Sequence, residues 1–257
     1  MSSKKRICFF DVDGTLLNSQ SMLGKSSIRA IKDLKKHGTL PVIATGRSKL
    51  ELENISPILE IDTIVSMNGH HIEIEGKTIH SEFIPMNLCR VLHEVAEDLN
   101  HPLLFCTTNS FNTTFINDDV KELCMLLKLD LPAVDPVCYL KKDINMMIIV
   151  STDPESEKFY SERFPNLKFI RTNSFSFDVT LKNINKATGL GHILNAYPNA
   201  ETFAFGDGLN DIEMFKLCHH GIAMKNASIE LKKNATYITD DNDNDGVVKA
   251  LKHFNLI

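Results

Sequence analysis

Arg6-Ile7-Cys8-Phe9-Phe10 is a short apolar run cut off abruptly by Asp11, and the same figure recurs along the chain. Leu40-Pro41-Val42-Ile43-Ala44 stops at Thr45-Gly46-Arg47, and Thr202-Phe203-Ala204-Phe205 stops at Gly206-Asp207. A brief, continuously apolar segment ending on a polar cluster reads as a strand buried on both faces. Helical periods separate these runs. Ile28, Ile31 and Leu34 share one face of a helix predicted over Ser26 to Lys36, with Ser26 as N-cap and Gly38 as the stop. A second helical stretch is expected from about Ser48 to Leu59. It leads to the strand Thr63–Met67 and, past Asn68-Gly69, a hairpin turning at Glu75-Gly76. Strand, helix, strand, helix, strand implies an α/β fold with a doubly wound parallel sheet.

The middle of the chain starts afresh. Leu88, Val91, Leu92, Val95 and Leu99 mark a helix, Leu103–Cys106 a strand, and Val120, Leu123, Cys124 and Leu127 another helix. Ile144 to Val150 is a further strand, Asp153-Pro154-Glu155 reads as a helix start, and strands are expected around Leu167–Arg171 and Phe175–Thr180. After residue 186 the first pattern resumes, closing with a helix from Gly246 to Phe254. In 257 residues the predicted plan is a discontinuous core, 1–81 and 183–257, interrupted by an α/β insertion over 82–182, with Pro85 and Lys182-Asn183-Ile184-Asn185 as crossing points.

Composition narrows the function classes. Lys plus Arg is 28 against 33 for Asp plus Glu, a net charge of −5, which excludes a generally basic, nucleic-acid-coating surface. Apolar runs such as Met146–Val150 fall far below the roughly 18 residues a membrane span needs, so no membrane partner is expected. The basic start, Met1 to Arg6, is followed by too short an apolar run for a secretory signal. The six cysteines are scattered with no C-x-x-C pair and read as buried thiols in a reducing cytoplasm. Oligomeric state leaves no mark in the sequence.

Three polar clusters follow three predicted core strands: Asp11-Val12-Asp13-Gly14-Thr15, Thr45-Gly46-Arg47 and Gly206-Asp207-Gly208-Leu209-Asn210-Asp211. In open α/β sheets the ligand crevice lies at the carboxyl ends of the strands, so these clusters are expected to converge. A single aspartate after a strand often only caps the next helix. The joint pattern is far rarer: D-x-D-G-T alone is expected in roughly a few per thousand chains of this length. Convergence would gather Asp11, Asp13, Asp207 and Asp211. Two such charges about 4 Å apart repel by about 4 kcal/mol at an effective dielectric near 20, so the site needs a cation or shifted pKa values. Oxygen donors without His or Cys point to Mg²⁺ bound alongside phosphate. Thr45 adds a hydroxyl, and Gly14, Gly46 and Gly208 let backbone amides approach an anion. Lys186, near a predicted helix N-terminus where the macrodipole disfavours a cation, fits beside an anion. This set suits phosphoryl transfer.

Two rival patterns fail. Asp241-Asn242-Asp243-Asn244-Asp245-Gly246 imitates a calcium loop, but its twelfth position is Lys252 rather than Glu; it is expected to cap the last helix. The pairs His70-His71 and His219-His220 lack zinc-site spacing and read as loop histidines, with His70 and His71 within reach of the crevice.

At these residues, and at Asn68-Gly69, Lys186, Ala223–Ala227 and Asp245-Gly246-Val247, the chain resembles the haloacid dehalogenase superfamily of phosphohydrolases, in its Cof-like branch. The resemblance implies a Rossmann-like core and makes the insertion that branch's α/β (C2-type) cap. It further implies that Asp11 is the nucleophile forming an aspartyl-phosphate and Asp13 the general acid and then base. Asp11, the Asp13 backbone carbonyl and Asp207 would hold Mg²⁺, with Asp211 supporting near the metal. Val12, Thr45, Gly46, Asn210 and Lys186 would bind phosphoryl oxygens, and Arg47 would make an adjacent structural or substrate contact. Ala187, Lys225 and His70 depart from the family's usual residues.

The expectation is a Mg²⁺-dependent phosphatase of small phosphorylated metabolites, sugar phosphates first and pyridoxal or flavin phosphates next. The rivals are a phosphomutase of the same superfamily and a non-catalytic, receiver-like phosphate-binding module.

Overall fold

The computed structural model describes residues 4–257. The first stretch of chain forms β1 (Arg6–Phe10), α1 (Lys25–Lys36), β2 (Leu40–Ala44), α2 (Ser56–Leu59), β3 (Ile64–Ser66), β4 (His71–Ile74) and β5 (Lys77–Ser81). Next come α3 (Met86–Asp98), β6 (Leu103–Cys106), β7 (Phe111–Thr113), α4 (Asp118–Leu127), β8 (Ala133–Val134), β9 (Met146–Val150), α5 (Ser156–Arg163), β10 (Leu167–Arg171) and β11 (Ser176–Leu181). The last part holds α6 (Lys186–Ala196), β12 (Glu201–Gly206), α7 (Ile212–Leu217), β13 (His220–Ala223), α8 (Ile229–Lys233), β14 (Tyr237–Ile238) and α9 (Gly246–His253).

The chain divides into two compact units. One runs up to Arg47 and continues with Leu52–His80 and Asn185–Ile257; the other comprises Ser48–Glu51 and Ser81–Ile184. In the first, eight strands lie in the order β14-β13-β12-β1-β2-β3-β4-β5. Strands from β14 to β3 pair in parallel, and β4 turns back antiparallel on β3. β1 lies between β2 and β12, with Phe10 opposite both Ile43 and Phe205. The chain winds outward from β1 in both directions, so the crevice at the carboxyl ends opens beside Asp11.

Alternation along β1 splits the core in two. Cys8 and Phe10 pack with Ala30, Ile31 and Leu34 of α1 and with Val247, Ala250 and Leu251 of α9. Ile7 and Phe9 face Leu190 and Ile193 of α6, Met214 and Phe215 of α7, and Leu231 of α8. Helices thus cover both faces, as a parallel sheet requires. The second unit has a six-stranded sheet, β10-β11-β9-β6-β7-β8, antiparallel except for β7 and β8. Its core joins Cys89, Leu92 and Ala96 of α3 to Tyr160, Phe164, Phe169 and Phe177. Among the described residues no helix is long and apolar enough to cross a membrane, and all six cysteines are free thiols.

Four local expectations are corrected. α1 begins at Lys25 behind Gly24, and the Ser26 hydroxyl donates to Asp245 instead of capping. The helix expected from Ser48 reduces to a turn at Leu50–Leu52 and the short α2. Proline is tolerated only in a first turn, so no helix runs from Ser48 through Pro57. The turn starts with Ser48, whose amide and hydroxyl both donate to Glu51 at 2.8 Å. α5 opens beyond Asp153-Pro154-Glu155, because Asp153 accepts from the Glu155 amide (3.0 Å) in a local turn. The acidic 241–246 loop makes no side-chain cap on α9; Asp243 accepts from the Ser19 amide (2.9 Å), and the Asn242 amide donates to the Leu17 carbonyl (2.9 Å).

The placement of α6 depends on one close approach. Asn185 caps it, accepting from the Thr188 amide (3.0 Å) while Thr188 Oγ1 accepts from the Asn185 amide (3.0 Å). Gly69, at φ 98°, lies against the Asn185 carbonyl so tightly that a Cβ would collide with it. Gly69→Ala is therefore expected to destabilise the protein by about 1–3 kcal/mol, from backbone strain and displacement of α6. Gly76, also at positive φ but with nothing within 4 Å, is the control, since Gly76→Ala carries only the strain. Urea unfolding of both variants checks this; equal losses would show that the contact with Asn185 contributes nothing.

Candidate active site

The strand ends bring most of the predicted residues together. Asp11 follows β1, and its amide donates to the Phe205 carbonyl (3.0 Å) of the neighbouring β12, which fixes it beside Gly206-Asp207. Gly14, at φ 68°, turns the chain so closely over Asp207 that a side chain there would overlap that carboxylate. Thr15 Oγ1 donates to Asp207 Oδ1 at 3.4 Å. Lys186, the first residue of α6, is fully buried, with Nζ donating to Asp11 Oδ1 and to Asp211 Oδ1, each at 2.7 Å. The cation disfavoured at a helix N-terminus is thus held by two protein carboxylates. These two bonds use two of the three N–H donors of the ammonium.

Asp211 is completely buried and its acceptors are in use. Oδ1 takes Lys186, and Oδ2 accepts from the Asp207 and Gly208 amides, both at 3.0 Å. Oxygen atoms of Asp11, Asp207 and Asp211 all lie within 4.8 Å of one another. Among the described residues no other group of three or more His, Cys, Asp or Glu side chains is arranged to hold a metal ion. Three carboxylates around one ammonium leave excess negative charge in a buried place, and hard oxygen donors match Mg²⁺ chemistry. The donor set therefore fits the ion; Asp211 meanwhile orients Lys186 and the loop.

The electrostatics report the same imbalance. Burial pushes the Asp11 carboxyl well above the usual carboxylate range; Lys186 pulls it down, and Asp211, Asp207 and Asp13 push it up again. Asp207 is pushed up to about 6, first by burial and then by Asp211, against the pull of Lys186 and of the Thr15 hydrogen bond. For Lys186 burial favours the neutral amine, but Asp11 and Asp211 outweigh it and the net shift is upward, so the ammonium persists.

Thr45 and Gly46 follow β2, one strand over. Thr45 is buried; its carbonyl accepts from the Asn68 amide (3.0 Å), and a Cβ on Gly46 would touch the Asn68 side chain. The Asn210 side chain donates to Asn68 Oδ1 at 3.2 Å, which joins this corner to the Asp207 loop. Asn68 is the member that spacing missed as a site residue; it follows β3, so the rule that selected the other clusters selects it too. Val12 is buried directly after Asp11. Asp13 stands apart from the buried carboxylates, more than half exposed and paired with Arg47 at 2.7 Å. His70, in the turn before β4, and His71, the first residue of β4, are both buried: His70 Nδ1 bonds the Met67 carbonyl (2.9 Å), and His71 Nε2 meets Glu73 at 3.3 Å.

Removing the cation from this cluster has a calculable sense. Lys186→Met leaves two buried carboxylates without their counter-charge and is expected to cost about 3–5 kcal/mol. The loss should grow as pH rises, because mutual repulsion needs both carboxylates ionised. Thermal melting of the variant across acidic and neutral buffers checks this; a loss independent of pH would count against the charge argument.

Residues 8–251 match the model of the haloacid dehalogenase-like hydrolase family. YkrA of Bacillus subtilis, provisionally named a phosphatase, is 32% identical over 98% of both chains. The 5-amino-6-(5-phospho-D-ribitylamino)uracil phosphatase YcsE of the same organism is 27% identical over 98% of this chain and 96% of its own. Among solved structures, a protein of Geobacillus kaustophilus superposes with a TM-score of 0.91 at 34% identity, covering 98% of this chain and all of the other. The subclass IIB sugar phosphatase BT4131 superposes with a TM-score of 0.89 at 30% identity and the same coverage. With the acidic cluster and Lys186 on the strand ends of a doubly wound sheet, the chain belongs to the haloacid dehalogenase-like hydrolase family, in its Cof-like branch, and is a phosphoric monoester hydrolase.

Proposed function

We propose that this phosphatase is Mg²⁺-dependent and hydrolyses small phosphorylated metabolites, sugar phosphates first, through an aspartyl-phosphate on Asp11. The observation that carries this reading is the buried Asp11 carboxylate, paired with Lys186 and within 4.8 Å of Asp207 and Asp211. In this reading an Asp11 oxygen attacks phosphorus, the ester P–O bond breaks, and the leaving oxygen takes a proton from Asp13. Water then attacks phosphorus and gives its proton to Asp13, the bond to Asp11 breaks, and phosphate departs. Lys186, Thr45, Asn210 and the Val12 and Gly46 amides stabilise the phosphoryl oxygens. Bound Mg²⁺ would neutralise the phosphate charge, held by Asp11, the Asp13 backbone carbonyl and Asp207, with Asp211 supporting them. The insertion over 82–182, which makes up most of the second unit, serves as the cap that selects the leaving group. The sugar preference is supported by the likeness to BT4131, and the cytoplasmic setting by six cysteines that remain thiols.

Asp11→Asn tests the covalent step. Wild-type chain should release phosphate over many turnovers from its best substrate in a screen of phosphorylated metabolites, and the variant should fall by several orders of magnitude. Turnover retained in the variant would sink the aspartyl-phosphate, and an isomerised phosphosugar in place of free phosphate would mark a mutase.

Metal dependence has its own pH signature. In metal-free protein Asp11 and Asp207 titrate above the ordinary range, so the folded state holds protons that the unfolded chain has released. Stability from these groups is therefore lost as pH rises above the ordinary carboxylate range, for Asp207 through about 6. A bound cation removes that penalty, so Mg²⁺ should raise Tm more near about pH 8 than near about pH 5, relative to a chelator control. An equal or reversed shift would exclude these carboxylates as the ligands.

A further inference from the structure

Asp13 lies two residues beyond Asp11 on the same strand end, yet its carboxylate is engaged elsewhere. One guanidinium holds both oxygens: Arg47 Nε donates to Oδ2 at 2.8 Å, and a terminal Arg47 nitrogen donates to Oδ1 at 2.7 Å. The two partners are unlike. Asp13 is 58% exposed, whereas the Arg47 side chain is only 16% exposed. Arg47 is also anchored through its backbone, its amide donating to Thr45 Oγ1 (3.1 Å) and its carbonyl accepting from the Met67 amide (2.9 Å). A backbone-anchored residue at the end of β2 therefore grips an exposed carboxylate at the end of β1. The planar fork matches a carboxylate in a single relative orientation, which a lysine ammonium would not impose.

We propose that Arg47 is a positioning residue that acts on the reaction through Asp13, setting the direction of the carboxyl group that serves the leaving oxygen. The inference rests on the phosphatase reading above and adds to it a role for the arginine of Thr45-Gly46-Arg47. It differs in its consequences from direct binding of the phosphoryl group by Arg47. Proton donation matters in proportion to the basicity of the leaving oxygen: an alkoxide needs it, and p-nitrophenolate departs without it. A residue that positions the acid therefore affects alkyl phosphates selectively, whereas a residue that binds phosphate affects every ester alike. Once Asp13 is removed, the effect of Arg47 on the leaving oxygen through Asp13 is gone as well, so the two losses should not add.

The test uses the full chain with Mg²⁺ and compares kcat/KM, which covers only the steps through cleavage of the ester bond. The substrates are p-nitrophenyl phosphate and the alkyl phosphate turned over best by wild type. Arg47→Ala is expected to lower kcat/KM for the alkyl phosphate by at least about tenfold and for p-nitrophenyl phosphate by less than about threefold. On the alkyl phosphate, Asp13→Ala combined with Arg47→Ala should be no slower than Asp13→Ala alone. Arg47→Lys keeps the charge and loses the fork; it should show the same split between esters at smaller amplitude, and it serves if Arg47→Ala melts early. Equal losses with both esters, or additive losses in the double variant, would overturn the proposal and assign Arg47 to the phosphoryl group. Absence of phosphate release by wild type from either ester would overturn the phosphatase reading, and the proposal with it.

Discussion

A single ammonium group organises this site. Lys186 enters the protein at the first turn of α6, with no solvent exposure, and bonds two carboxylates that come from the ends of β1 and of the loop after β12. A buried lysine without partners would give up its proton, and two buried carboxylates without a cation would repel. Each is tolerable only with the others in place, so the cluster demands that β1, β12 and α6 meet within hydrogen-bond distance. The tightness of Gly69 against Asn185 and the cap made by Asn185 and Thr188 serve that demand directly.

One lysine does not balance three carboxylates. Burial first, and the neighbouring carboxylates after it, raise the pKa values of Asp11 and Asp207, and the donor set fits a divalent cation. The four aspartates are not equivalent. Asp211 spends its acceptors on Lys186 and two backbone amides, so it shapes the site from behind. Asp13 remains at the surface on Arg47, outside the charged cluster.

Much of the core was legible because its signals are local. Short apolar runs ended by Asp11, Thr45 and Asp207 specify buried parallel strands, and a parallel sheet places its strand ends on one edge. Errors fell where competing local bonds are weak in sequence but decisive in space. Ser26 has the composition of an N-cap, yet Asp245 reaches it from over two hundred residues away. The 241–246 loop has the composition of a helix cap, yet its side chains tie down Leu17 and Ser19. The helix expected from Ser48 yielded to Pro57, a signal that was visible in the sequence and outweighed there by periodicity.

From the sequence alone came the parallel α/β core, the insertion between its two halves, and a set of aspartates, Thr45 and Lys186 bound for one sheet edge. Periodicity and strand termination are properties of neighbouring residues, and they survive without coordinates. Which carboxylates face the lysine and which is held by Arg47 depend on side-chain directions between segments up to about two hundred residues apart. Only the tertiary structure decides those directions, because the contacts that fix them, Lys186 with Asp211, Asn210 with Asn68 and Arg47 with Asp13, form only after the strands have paired.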